Sequence, residues 1–98
     1  MEKQDVLSAL AALAQETRLD VFRRLVQAGP EGLAAGRLAE DLGASPATLS
    51  FHLKELRNAR LVRSAREGRS IRYAPDFSVM QGIIGYLGEN CCQDGDCG

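Results

Sequence analysis

All three cysteines of this 98-residue chain, Cys91, Cys92 and Cys97, fall within its final eight positions. Thiolates are soft ligands and select soft acceptors. An adjacent pair with a third sulfur five residues on, across Gly95, suits a three-coordinate ion with a lone pair, such as arsenic(III) or antimony(III). A structural zinc site normally takes four ligands at Cys-x-x-Cys-like spacing. Zinc, cadmium or lead would therefore need Asp94 or Asp96 as a further donor. Oxidation is the third chemistry open to the segment: Cys91 and Cys92 can close a strained vicinal disulfide, or Cys97 can resolve either one.

A second concentration of chemistry lies upstream. The net charge is only −1, yet residues 54–72 carry Lys54, Arg57, Arg60, Arg63, Arg66, Arg69 and Arg72 against Glu55 and Glu67. Seven cations in 19 residues form either a solvated face or a footprint for phosphates. The elements that carry them decide between the two.

Four helices precede or include the start of this cluster. Residues 3–14 place Val6, Leu7, Leu10 and Leu13 on one stripe, and 16–28 do the same with Leu19, Phe22 and Val26 before Gly29-Pro30. A short helix over 35–42 presents Leu38, Ala39 and Leu42 and stops at Gly43. Ser45 is then an N-cap and Pro46 a first helical residue, so a fourth helix runs from Pro46 to about Ala59. Helix, short turn with glycine, helix is the helix-turn-helix arrangement.

On the fourth helix Leu49, Leu53 and Leu56 share one narrow stripe, the core side. Ala47, Ser50, Phe51, Lys54 and Asn58 fall opposite, with Arg57 on the flank. Small Ala47 and Ser50 permit close approach to a groove floor, Phe51 can pack on a thymine methyl, and Lys54 and Arg57 reach phosphates. His52, the single histidine, falls nearer the core and reads as structural. After Arg60 the period becomes two, with strands over 61–67 and 70–74 around Gly68-Arg69. Arg66, Arg69 and Arg72 thus decorate a small hairpin directly behind the candidate recognition helix, placed to grip DNA backbone or minor groove as a wing. A last helix over 76–88 carries Val79, Met80, Ile83, Ile84 and Leu87 before a cysteine-bearing tail, residues 89–98.

These elements make one mainly α domain over residues 1–98 with a small β-hairpin. With 45% hydrophobic and 26% charged residues the composition is that of a soluble globular chain and not of a disordered one. No apolar run reaches the ~18 residues of a membrane span, and Met-Glu-Lys-Gln-Asp does not begin a signal peptide. A cytoplasmic protein with reduced thiols is expected. Cys-x-x-Cys, a phosphate-binding glycine loop and a paired catalytic acid and base are all absent, so no enzyme is expected. The competing class is a small thiol carrier or redox protein with an incidental basic face.

The stretch from Ser45 through Ser50-Phe51-His52-Leu53-Lys54-Glu55-Leu56, then Leu61-Val62 and Glu67-Gly68-Arg69-Ser70-Ile71-Arg72-Tyr73, resembles the ArsR–SmtB family of metal-responsive repressors. Leu13-Ala14-Gln15-Glu16-Thr17-Arg18-Leu19-Asp20 resembles it too. The resemblance implies a homodimeric winged helix-turn-helix repressor, paired through its first and last helices, on an inverted-repeat DNA operator. It carries over Ser45, Ala47, Thr48, Ser50 and Phe51 as operator-facing, with Arg66, Arg69 and Arg72 in the wing.

Two departures narrow the inducer. The helix before the turn, Leu38-Ala39-Glu40-Asp41-Leu42, lacks the Cys-x-Cys of prototypical arsenic sensors, and residues 77–88 lack the histidines of zinc and nickel sensors. The tail cysteines instead resemble a subgroup of arsenite-responsive repressors. The resemblance thus implies release from DNA by arsenite or antimonite at Cys91, Cys92 and Cys97, with no constitutive cofactor.

Overall fold

In the computed structural model, which describes residues 1–95, Ser45 begins the element on which the others converge. Its backbone is extended, and its Oγ accepts the Thr48 amide at 3.3 Å. Pro46 sits in the first turn, so helix α4 (Pro46–Asn58) starts where the sequence predicts. It follows α1 (Lys3–Leu13), α2 (Glu16–Ala28), strand β1 (Leu33–Ala34) and α3 (Ala35–Leu42). It precedes β2 (Val62–Glu67), β3 (Ser70–Pro75) and α5 (Phe77–Gly88).

Leu49, Leu53 and Leu56 are buried, as expected, among Val21, Phe22, Leu25 and Leu38 from α2 and α3. Burying a leucine side chain contributes roughly 1.5–3 kcal/mol, so this stripe locks the rotation of α4. The α3–α4 turn is closed by Gly43, at φ +62°, with the Ala44 amide on the Ala39 carbonyl at 3.1 Å. Two arginines of different helices, Arg24 and Arg37, meet Asp41 at 3.0 Å each and tie α2 to the end of α3.

Three expected stripes are rotated. On α1 the inward residues are Val6, Ala9 and Ala12, while Leu7 and Leu10 face out. Small alanines let α1 lie close against the core, and among the described residues the leucines on its flank stay half-exposed. On α2, Val21, Phe22 and Leu25 are buried and Leu19 is 42% exposed. On α5 only Ile83 is fully buried, Val79 and Met80 are partly so, and Ile84 and Leu87 are exposed.

The hairpin is part of a larger sheet. β1 joins it antiparallel to β3, Leu33 opposite Tyr73, giving the order β1-β3-β2. Two residues are too few for a period-two signal, and the strand exists only because the chain before it comes against β3. Gly32 makes that approach possible: at φ +67°, a side chain there would overlap the Tyr73 carbonyl. The final helix starts at Asp76, whose Oδ1 accepts the amides of Ser78 and Val79 and the Ser78 hydroxyl.

Two outcomes follow from these contacts. Gly32→Ala should lose at least about 2 kcal/mol, through left-handed strain and steric overlap, seen as a lower urea midpoint at unchanged m. The Ser78 hydroxyl bond, with the amides and the nearby Arg63 charge, holds the Asp76 carboxyl below its usual range against partial desolvation. A depressed folded-state value stabilises the fold above the unfolded value of about 3.9 and loses that support as pH falls through the folded value. Stability should therefore fall below about pH 4, and Asp76→Ala, itself costing about 1 kcal/mol as a lost N-cap, should flatten that acid limb.

Candidate nucleic-acid interface

With its leucines turned inward, α4 presents Ala47, Ser50, Phe51, Lys54 and Arg57 outward, the face expected from the sequence. Phe51 is 56% exposed, although its ring meets the His52 ring edge-on at 5.4 Å. Ser45 and Thr48 are exposed but first serve the cap: the Ser45 hydroxyl donates to Thr48 Oγ1 at 2.9 Å.

His52 is structural, as its position predicts. It is 8% exposed, and Arg18 donates to its Nδ1 at 3.3 Å. An arginine has no acceptor, so this nitrogen carries the lone pair and the ring proton sits on Nε2. The same guanidinium donates through Nε to the Ala12 carbonyl at 2.7 Å, near the end of α1. Arg18 therefore joins the first helix to the middle of α4, a link its sequence neighbours do not disclose.

Tertiary structure splits the basic cluster in two. In the β2–β3 pair Arg66 lies opposite Ile71 and Ser64 opposite Tyr73, while Ala65 lies opposite Arg72 and Arg63 opposite Ala74. Paired residues share a sheet face and neighbours alternate. Arg66, Ile71 and Tyr73 are thus on one face, and Arg63 and Arg72 on the other. Arg69 is exposed beside Gly68 in the turn, and Arg66 donates to the Gly68 carbonyl at 3.3 Å. Arg72 is engaged within the chain, with Glu67 at 3.1 Å and the Gly32 carbonyl at 3.2 Å.

On the α4 side, Ser50, Lys54, Arg57, Asn58, Arg60 and Tyr73 line a cleft of about 600 Å³ between helix and sheet. Tyr73 is not among the site residues the sequence points to, and Arg60 is among them only as one of the seven clustered cations. The sequence adds a second cue to Arg60, a helix that ends at Asn58-Ala59-Arg60 without a glycine.

The tail begins at the end of α5. Cys91 and Cys92 are exposed, and their sulfurs are 3.3 Å apart. The turn is tight: the Cys91 amide reaches the Gly88 carbonyl, and Asn90 and Cys92 are left-handed at φ +59° and +63°. Cys97, the third expected ligand, lies outside the described residues. No helix among the described residues is long and apolar enough to cross a membrane.

Residues 13–65 match a helix-turn-helix domain family. The chain is similar to the nodulation protein NolR of Rhizobium meliloti, 34% identical over 87 residues, 89% of this chain and 69% of the relative. An ArsR-like transcriptional regulator from Rhodococcus sp. RHA1 superposes with a TM-score of 0.73 at 30% identity, covering 86% of this chain and 76% of that one. The AntR antimony-specific transcriptional repressor superposes with a TM-score of 0.70 at 31% identity, covering 88% and 77%.

Arg18→Met should lower stability by about 1–3 kcal/mol, because it strands the Ala12 carbonyl and the His52 nitrogen, both on buried residues. A companion His52→Ala change should then add less than its own single effect, as a double-mutant cycle in denaturant reads directly.

Proposed function

The chain belongs to the ArsR family of winged helix-turn-helix transcriptional regulators, and we propose that it is a homodimeric repressor released from its operator by trivalent arsenic or antimony. The outward face of α4 carries the DNA half of this reading. Ala47, Ser50 and Phe51 form a low surface that fits a major groove, with Lys54 and Arg57 beside it for phosphates. Ser45 and Thr48 set where the helix enters, and Arg66 and Arg69 sit on the wing. Arg72 holds the base of the wing through Glu67 and the Gly32 carbonyl.

Dimerisation is supported by the exposed apolar side chains of α1 and α5. α1 and α5 contact each other, and between them Leu7, Leu10, Ile84 and Leu87 are exposed. Large apolar side chains gathered on two packed helices mark an interaction surface. A second copy would cover them and set two copies of α4 into successive major grooves, with half-sites ~10 bp apart or a multiple.

The adjacent sulfurs of Cys91 and Cys92 support the inducer half. At 3.3 Å they are within the span of two metal–thiolate bonds of about 2.3 Å each. In the fully reduced protein, with Cys97, they offer three thiols: arsenous acid and three thiols condense to a trithiolate and three waters, with no change of oxidation state. Similarity to an antimony-specific repressor supports the same chemistry. The site follows α5 directly, so closing it can shift the dimer helices and the spacing of the two α4 helices. A coupling of about 1–3 kcal/mol weakens operator binding 5–150-fold, and operator DNA weakens metalloid binding equally.

The test is fluorescence anisotropy of the reduced protein on DNA upstream of its gene, titrated with arsenite and, separately, zinc. Arsenite should release the DNA and zinc should not, and Cys91→Ser or Cys97→Ser should remove the response while leaving binding intact. Tight selective binding that arsenite leaves undisturbed would discard the metalloid switch, and zinc-driven release would favour a mixed thiolate–carboxylate site. A fully inducible Cys97→Ser variant would reduce the site to two thiols.

A further inference from the structure

We propose that the cleft between α4 and the wing is a seat for a phosphodiester of the DNA backbone, and that Arg60 closes it. The inference rests on the DNA-binding reading above and adds to it a residue and its ligand chemistry.

Three observations meet at this cleft. First, its lining is cationic without compensation. Lys54, Arg57 and Arg60 stand with the neutral donors Ser50, Asn58 and Tyr73, and no carboxylate is among them. Arg24, Arg37 and Arg72 all have carboxylate partners, whereas among the described residues Lys54, Arg57 and Arg60 form no ion pair. Three like charges around one opening repel one another until an anion enters.

Second, the backbone keeps Arg60 there against its own preference. Arg60 is left-handed, at φ +66°. It occupies the turn that ends α4, where its amide reaches the Arg57 carbonyl at 2.9 Å and the Leu61 amide the Leu56 carbonyl at 3.0 Å. Glycine takes this conformation without strain, and at the end of α3 the chain uses Gly43 in the same kind of turn. A strained residue kept in a sparsely populated region points to a use for its side chain. Third, the turn is anchored: Leu56 and Leu61, on either side of it, are fully buried. The guanidinium therefore projects from a fixed base and can meet a phosphate with two parallel hydrogen bonds.

An arginine at a helix C-terminus also interacts favourably with the helix dipole. That role and the phosphate role predict opposite behaviour when Arg60 becomes glycine, since glycine relieves the backbone and removes the charge. Arg60→Gly and Arg60→Lys should be compared with the wild type by thermal unfolding and by anisotropy across a salt series. The DNA would be the upstream duplex and a scrambled one.

The Arg60→Gly protein is expected to unfold at an equal or higher temperature. It should bind both duplexes more weakly by a similar factor, roughly three- to tenfold, with the slope of log K against log salt shallower by about 0.9. Arg60→Lys should keep the wild-type slope. An unchanged slope in Arg60→Gly, with the wild type binding normally, would overturn the phosphate seat and leave the repressor reading standing. A loss confined to the upstream duplex would overturn it as well, by making Arg60 a reader of bases. A wild type that binds neither duplex would remove both readings together.

Discussion

Burial of Leu49, Leu53 and Leu56 against α2 and α3 is the constraint on which the rest of this structure depends. A helix has one rotational freedom that matters here, and three leucines on a single stripe remove it. Once they point inward, Ser50, Phe51, Lys54 and Arg57 must point outward, because the helical repeat leaves them nowhere else. The chemistry of the exposed face is thus fixed by residues that take no part in it. Ser45 and Gly43 set where that helix begins, and Asp41, held by Arg24 and Arg37, sets how its predecessor lies.

A polar link complements the apolar one. Arg18 binds the Ala12 carbonyl of α1 and the Nδ1 of His52 on α4 with one guanidinium. The helix that presents exposed leucines and the helix that presents the basic face are consequently joined through one side chain. In the proposed repressor, a movement of α1 and α5 at a dimer interface would reach α4 through this contact as well as through the core. The adjacent Phe51 ring, edge-on to His52, lies one step further along the same chain of contacts.

The sheet shows how strand register sorts charges that composition only counts. Arg66 and Arg72 are close in sequence on one hairpin, yet pairing puts them on opposite faces. Arg72 turns to Glu67 and the Gly32 carbonyl and braces the wing, while Arg66 remains on the face shared with Tyr73. Arg60, by contrast, joins the helix residues in one cleft because a left-handed turn redirects the chain at that point.

Sequence by itself determined the helix-turn-helix, the cap at Ser45, the hairpin, the structural place of His52 and the outward face of α4. Each rests on local rules: spacing along one helix, a capping residue, a change of period. What the sequence could not determine is what each apolar stripe packs against. Leu7 and Leu10 read as core on α1, but the neighbouring helices accept its alanines, and Leu19, Ile84 and Leu87 are left outside for the same reason. β1, the bracing role of Arg72, the joint at Arg18 and the cleft at Arg60 all depend on partners some 13 to 40 residues away. Tertiary structure decided them, because contacts between distant segments are chosen by how whole elements fit together.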